Sequence, residues 1–259
     1  MELSATGQLA GKVAVVTGAS SGTGRGIAHR FTAEGAHVYL LARDKARLDS
    51  LVEELGSTAT AIAADVGDPA QVDTAFRQIA DASGHIDILV NNAGIYRPCR
   101  VEQLTDFDIN RQVDTNFLGP VHTCRAAIPL LRAAGGGDIV NTSSESTLHP
   151  FPMLSMYVST KAALETFSEV LALELRDDDI RVTTVVQGTA QGAGGGSTDW
   201  AWDPDHGAEA LQTWTDTGLM AQAFGKYGGQ DIAAVADVHL YIVTRPRTQK
   251  LDRVHVRSF

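Results

Sequence analysis

Thr17-Gly18-Ala19-Ser20-Ser21-Gly22-Thr23-Gly24-Arg25-Gly26-Ile27-Ala28 stands directly after the apolar run 13–16 and opens an amphipathic helical pattern. Glycine at 18, 22 and 24 removes Cβ atoms where a chain must turn tightly and admit a pyrophosphate. The free N–H groups and the dipole at a helix start attract the charge of that group. A glycine cluster alone is a weak signal; a strand before it and a helix after it give it meaning. Working outward, the runs 38–41, 60–64, 86–90, 139–141 and 182–186 are β-branched or apolar and alternate with helical patterns. That rhythm predicts βαβ units, hence an α/β fold with a doubly wound parallel sheet and helices on both faces. No internal repeat and no linker divides the chain, so 9–259 reads as one domain behind a tail at 1–8.

Bulk properties narrow the function. With 259 residues and 44% hydrophobic content the chain can bury a sizeable core. Its 21 Lys and Arg against 31 Asp and Glu give a net charge of -10, which argues against nucleic acid or an anionic membrane as partner, since phosphate binding needs clustered cations. Cys99 and Cys124 have no CxxC spacing and read as packing residues in a reducing compartment. The opening MELSATGQLAGKV lacks a basic segment followed by an apolar run, and no stretch approaches the ~18–20 apolar residues of a membrane span. The expectation is a soluble, cytoplasmic protein.

Three motifs in order carry a family resemblance. TGxxxGxG from Thr17 to Gly24, Asn91-Asn92-Ala93-Gly94 after the fourth strand, and Tyr157-Val158-Ser159-Thr160-Lys161 together resemble the short-chain dehydrogenase/reductase family over nearly the whole chain. The resemblance implies a Rossmann-like sheet of about seven strands, the last near 253–256, and binding of a nicotinamide dinucleotide. Cofactor contacts carried over by motif are Gly18, Ser20, Ser21, Gly22, Thr23, Gly24, Asn92, Ala93, Gly94, Tyr157, Lys161, Gly188 and Thr189. Asp65, beside Val66, matches the adenine contact, although it also suits a strand-ending cap.

Tyr157 and Lys161 are four apart on a segment, 157–175, that reads as a helix, so they share one face. A phenol of reference pKa ~10 is a poor acid or base near neutrality, and a neighbouring ammonium is expected to lower it. Ser144 lies thirteen positions before Tyr157 at a strand end, where the family places its catalytic serine; Ser143 is adjacent, and the spacing favours Ser144. By resemblance, Asn116 holds a water linking Lys161 to solvent, the alternative being a structural asparagine that distorts its helix. The implied reaction moves a hydride between nicotinamide and a carbonyl or secondary alcohol, with Tyr157 transferring the proton and no metal required.

Cofactor choice turns on the end of the second strand. NAD users place an acid there for the ribose 2′-hydroxyl. Here Ala42 occupies that position and Arg43 follows, which favours the 2′-phosphate of NADP(H); Asp44 and Ser21 speak for NAD(H).

Beyond the sixth strand the sequence departs from the family. Where Pro-Gly and a later threonine are usual it reads Gln187-Gly188-Thr189-Ala190-Gln191-Gly192, and Thr23 stands where isoleucine is common. Residues 188–230 are expected to form a substrate lid, glycine-rich at 192–196 and therefore mobile, becoming helical around 208–224. That segment has no Lys or Arg before Lys226 and holds every tryptophan, Trp200, Trp202 and Trp214. Trp200, Trp202, Tyr96, His149, Phe151 and Met153 are candidate walls of an apolar pocket, alongside Ser144 and Tyr157. Asp199, Asp203, Asp205, Glu209 and Asp216 are expected to repel anionic substrates. The alternatives are a 3-oxoacyl-carrier-protein reductase, for which Arg97, Arg100 and Arg111 would greet an acidic carrier, and a silent dinucleotide-binding protein. In relatives the helices bearing Asn116 and Tyr157 pair across a two-fold axis, so a homodimer or homotetramer is expected.

Overall fold

The computed structural model describes residues 7–191 and 203–259. Residues 1–6 of the expected tail and the expected hinge and wall residues Gly192, Gly194, Gly195, Gly196, Asp199, Trp200 and Trp202 lie outside the described residues.

Seven strands form one parallel sheet in the order β3-β2-β1-β4-β5-β6-β7. They are β1 (Val13–Thr17), β2 (His37–Ala42), β3 (Ala59–Ala63), β4 (Ile88–Asn91), β5 (Gly137–Ser144), β6 (Ile180–Gln187) and β7 (Arg253–Val256). The helices are α1 (Gly22–Ala33), α2 (Lys45–Leu55), α3 (Pro69–Ser83), α4 (Asp106–Val113), α5 (Gly119–Ala133), α6 (Ser155–Glu174), α7 (Pro204–Asp216), α8 (Leu219–Phe224) and α9 (Ile232–Val243). The expected doubly wound sheet is thus found, and no described helix is long and apolar enough to cross a membrane.

The period-two alternation of the strands explains the two layers. In β1, Ala14 and Val16 face a core built with Ile27, Ala28 and Phe31 of α1 and Ala236 and Leu240 of α9. Val13 and Val15 face the opposite core, with Val72, Phe76 and Ile79 of α3 and Ala127 and Leu131 of α5. Strand order reverses between β1 and β4, and the carboxyl ends of the strands around that switch point bound the crevice in which ligands of such sheets bind.

Strand β5 is longer than its apolar core at 139–141 suggests. It continues through Thr142, Ser143 and Ser144, because pairing with β6 in the register Ser144↔Gln187 satisfies their backbones. Strand β4 starts at Ile88, two residues later than its apolar run, and the Ile86 amide donates to the Leu130 carbonyl of α5 at 3.3 Å. A buried polar chain ties the layers below the site: Thr123 Oγ1 donates to Asn91 Oδ1 at 2.6 Å, Asn91 Nδ2 to Asn141 Oδ1 at 2.9 Å, and Asn141 Nδ2 to Ser168 Oγ at 2.8 Å.

Candidate active site

Along the carboxyl ends of the strands runs a cavity of about 790 Å³. At one end the glycine turn is built as its sequence demands. Gly18 and Gly22 have φ of +66° and +51°, and a Cβ at Gly24 would stand 2.3 Å from the Gly18 carbonyl. Thr17 Oγ1 accepts from the amides of Asn92 and Ala93 at 3.0 and 3.1 Å, which locks the Asn91–Gly94 motif against this turn.

Helices α2, α3, α7 and α9 each begin with an aspartate, Asp44, Asp68, Asp203 and Asp231, that accepts from first-turn amides. The N-cap of α1 is Ser21, with no side-chain cap and no acid in the first turn, so its N–H groups face the cavity open to an anion. Three buried polar atoms of cavity-lining residues, Thr115 Oγ1, Thr142 Oγ1 and Gln187 Oε1, have no partner. A glycine cradle, an open helix start and unpaired polar groups along one cleft fit a dinucleotide.

Ala42 and Arg43 line the cavity where β2 ends, and Arg43 forms no ion pair among the described residues. Asp44 is engaged otherwise: its carboxylate accepts from the Arg47 amide at 3.0 Å and stands 3.3 Å from Arg47 Nε. Arg47 itself lines the cavity, a second cation that the sequence reading missed. Asp65 lines it too, but its oxygens accept from the Gly67 amide at 3.0 Å and from Arg111 Nη1 at 2.8 Å. The cap reading of Asp65 therefore describes its present contacts, while Val66 lines the cavity beside it.

Ser144, Tyr157 and Lys161 are brought together by β5 and α6. The Ser144 hydroxyl stands beside the Tyr157 phenol on the cavity wall and accepts from Ser146 Oγ at 2.9 Å and the Ser146 amide at 3.2 Å. Ser143 turns away, donating to Glu165 at 2.5 Å, which leaves Ser144 as the serine beside the phenol. Lys161 Nζ donates to the Thr142 carbonyl at 2.7 Å and lies 5.9 Å from the Tyr157 ring centroid.

Burial pushes the Lys161 ammonium down to about 8, opposed by the charge of Glu165. The expectation that Lys161 lowers the Tyr157 phenol is corrected here: burial pushes the phenol up, and the Ser144 hydrogen bond opposes it. The ammonium is turned to the Thr142 carbonyl, so desolvation outweighs its attraction for a phenolate.

Asn116 is fully buried in a π-helical turn, Asp114–Leu118, between α4 and α5. Its Oδ1 accepts from the Ile95 amide and its Nδ2 donates to the Ile95 carbonyl, both at 2.8 Å, with Thr160 Oγ1 at 3.2 Å. These contacts suit a structural asparagine at a helix distortion, while Asn116 Oδ1 keeps a second lone pair.

At the far end the described walls are apolar: Phe151, Leu154, Leu211, Trp214, Met220 and Phe224, with the Tyr96 ring tilted against that of Tyr157 at 5.5 Å. Trp214 is fixed by an indole hydrogen bond to the Pro152 carbonyl at 2.8 Å and an edge contact with Phe151. Of the expected walls, His149 and Met153 are not among the described lining residues. His149 caps the turn after β5, its amide donating to the Glu145 carbonyl at 3.0 Å, and Met153 lies at φ +67° holding the Cys99 amide through its carbonyl at 2.8 Å.

Of the expected repulsive acids, Asp203, Asp205, Glu209 and Asp216 are not among the described residues that line the cavity. Asp203 caps α7, Glu209 pairs with Arg100 at 2.5 Å, and Asp216 accepts from Gln212 at 2.7 Å. Gly188 and Thr189 line it as expected. The two departures from the family pattern meet there, since Gln187 Nε2 donates to Thr23 Oγ1 at 3.1 Å across 164 positions of chain.

The sequence profile of the short chain dehydrogenase family matches residues 12–197. An uncharacterised oxidoreductase of Methylorubrum extorquens is 37% identical over 234 residues, 88% of this chain and 90% of the relative. Among solved structures, L-sorbose reductase from Gluconobacter frateurii, complexed with NADPH and L-sorbose, has a TM-score of 0.81 at 30% identity and covers 98% of this chain and 97% of its own. The 3-ketoacyl-(acyl-carrier-protein) reductase of Brucella melitensis, complexed with NADH, has a TM-score of 0.80 at 30% identity, with 96% and 97% covered.

Proposed function

This chain belongs to the short-chain dehydrogenase/reductase family, oxidoreductases acting on CH–OH and C=O groups with NAD(P), and from that premise we propose that it interconverts a neutral, apolar or aromatic carbonyl compound and its secondary alcohol using NADP(H). The observation that carries this reading is the position of Ser144, Tyr157 and Lys161 between the glycine cradle and an apolar chamber walled by Phe151, Leu154, Trp214 and Phe224. When bound, the nicotinamide supplies or accepts the hydride. In reduction, Tyr157 gives its phenolic proton to the carbonyl oxygen while Ser144 donates a hydrogen bond to the same oxygen as negative charge develops there. Lys161, 5.9 Å from the ring, offsets part of the charge of the phenolate left behind, although burial dominates the resting phenol, and all steps reverse in oxidation. Apolar walls keep water from the reacting atoms and favour neutral substrates; the segment 188–230 acts as the lid of this chamber.

Arg43 and Arg47 favour the 2′-phosphate of NADP(H), with Asp44 withdrawn into the start of α2. The carrier-protein reading, kept in view by the Brucella relative, is disfavoured because Arg97 pairs with Asp108, Arg100 with Glu209 and Arg111 with Asp65. That leaves no free basic patch from these three residues for an acidic carrier.

The test is an absorbance assay of NADPH and NADH against matched aryl ketones and carboxylates, run with Tyr157→Phe. Expected are a higher kcat/KM with NADPH and with the neutral ketone, and a fall of about 10²–10⁴-fold in the variant, the usual contribution of acid–base catalysis. Wild-type turnover in Tyr157→Phe removes the mechanism; a preference for NADH removes the cofactor assignment. Assembly follows from α6, which exposes Val170 and Leu173 at 50% and 69% while Phe167 stacks edge-on to Phe117. A homodimer or homotetramer covers this face; light scattering that gives the mass of one chain rules it out.

A further inference from the structure

Two successive residues at the end of β5 are each held by one residue of α6, and the third, Ser144, stands beside Tyr157 of the same helix. Thr142 is bound through its carbonyl by Lys161 at 2.7 Å, and Ser143 donates to Glu165 Oε1 at 2.5 Å. Tyr157, Lys161 and Glu165 are spaced i, i+4, i+8 and so lie along one face of the helix. Thr147 Oγ1 lies 2.7 Å from the same Glu165 oxygen and 2.8 Å from the Ser144 carbonyl, two acceptors that share its single proton. The other oxygen, Glu165 Oε2, pairs with Arg253 Nη2 of β7 at 2.8 Å. Its side chain is 13% exposed.

We propose that Glu165, anchored from behind by Arg253, is a positioning residue that fixes Ser144 and Lys161 against Tyr157. Resting on the dehydrogenase reading above, it names a residue that the three recognised motifs leave out. Glu165 acts on Ser144 through the adjacent Ser143 and through Thr147 three residues on, and on Lys161 by charge. A fully buried ammonium bonded to a carbonyl is costly, and Glu165 opposes the loss of its proton. The charged groups about this pair are Arg253 from β7, Tyr157 as the other titratable side chain beside Lys161, and Glu145 after β5. Glu145 is compensated from β7 and its extension by His255 at 3.9 Å and Arg257 at 3.3 Å. Strand β7 thus turns alternate basic residues onto the two acids beneath the active site.

The experiment uses the full chain with ¹³Cε-labelled lysine, the buried Lys161 signal being assigned by its loss in Lys161→Met, and compares wild type, Glu165→Gln and Glu165→Asp. In Glu165→Gln the Lys161 signal should titrate at lower pH than in the wild type, and the alkaline fall of kcat should move with it. At optimal pH kcat should drop between about ten- and a hundredfold, the scale of slight misplacement of catalytic groups, with KM little changed. Glu165→Asp keeps the charge but falls short of Ser143 and Thr147, so it should hold the Lys161 titration near wild type and still lower kcat. An unmoved titration in Glu165→Gln overturns the proposal; if that variant does not fold, wild-type kcat in Glu165→Asp overturns it. The lysine titration needs no turnover, so failure of the dehydrogenase reading, seen as wild-type rate in Tyr157→Phe, is told apart from failure of this one.

Discussion

The two ends of the cleft are built on different principles. The cradle at Gly18–Gly24 works through backbone: positive φ at two glycines, a close approach at a third, and amides of α1 left without a cap. Every one of those requirements is met by residues within one turn of chain, so the sequence has little freedom there. The other end works through side chains gathered from β5, α6, the end of β6, α7 and α8. Its sequence departs from the family pattern and the departures answer one another, as Gln187 does Thr23. The backbone end is thus legible in local sequence, while the side-chain end depends on partners far along the chain.

Substitutions at the two ends should differ in size. Gly24→Ala should be the more damaging, because its Cβ would meet the Gly18 carbonyl at 2.3 Å and Asn92 Nδ2 at 2.6 Å, and backbone must move. Overpacking of about 1–3 kcal/mol corresponds to NADPH affinity lower by roughly five- to a hundredfold, read by fluorescence titration. Wild-type affinity there would show that the cradle tolerates a side chain, and the contrast between the ends would collapse. Gln187→Met, which keeps length and loses the amide, should cost NADPH affinity only about fivefold, the value of one hydrogen bond near 1 kcal/mol. Thr23→Val should cost a similar amount, and the double variant no more than either alone. Strictly additive losses in that cycle would mean that the Gln187–Thr23 contact does not couple β6 to α1.

Read from sequence, the fold was accessible because its determinants are local. Alternation in β1 sends Val13 and Val15 to one layer and Ala14 and Val16 to the other, and each βα step repeats the pattern. The four-residue spacing of Tyr157 and Lys161 and the strand-end place of Ser144 are likewise local, and the structure brings the three together. Errors entered where a side chain's role depends on what lies opposite. His149 and Met153 pass beside the chamber, and acids of α7 are taken by a cap and by Arg100. The upward shift of the Tyr157 phenol belongs to the same group, because burial is a property of the packed state that spacing along a helix does not encode.

The sequence by itself determined the parallel sheet, the phosphate cradle and the serine, tyrosine and lysine, since backbone geometry and helical periodicity act over a few residues. Only the tertiary structure decided that Glu165 stands behind Lys161 with Arg253 at its back, that Arg47 joins Arg43, and that Gln187 reaches Thr23. Hydrogen bonds and charges act over a few ångströms of space, and folding brings residues from opposite ends of the chain within that range.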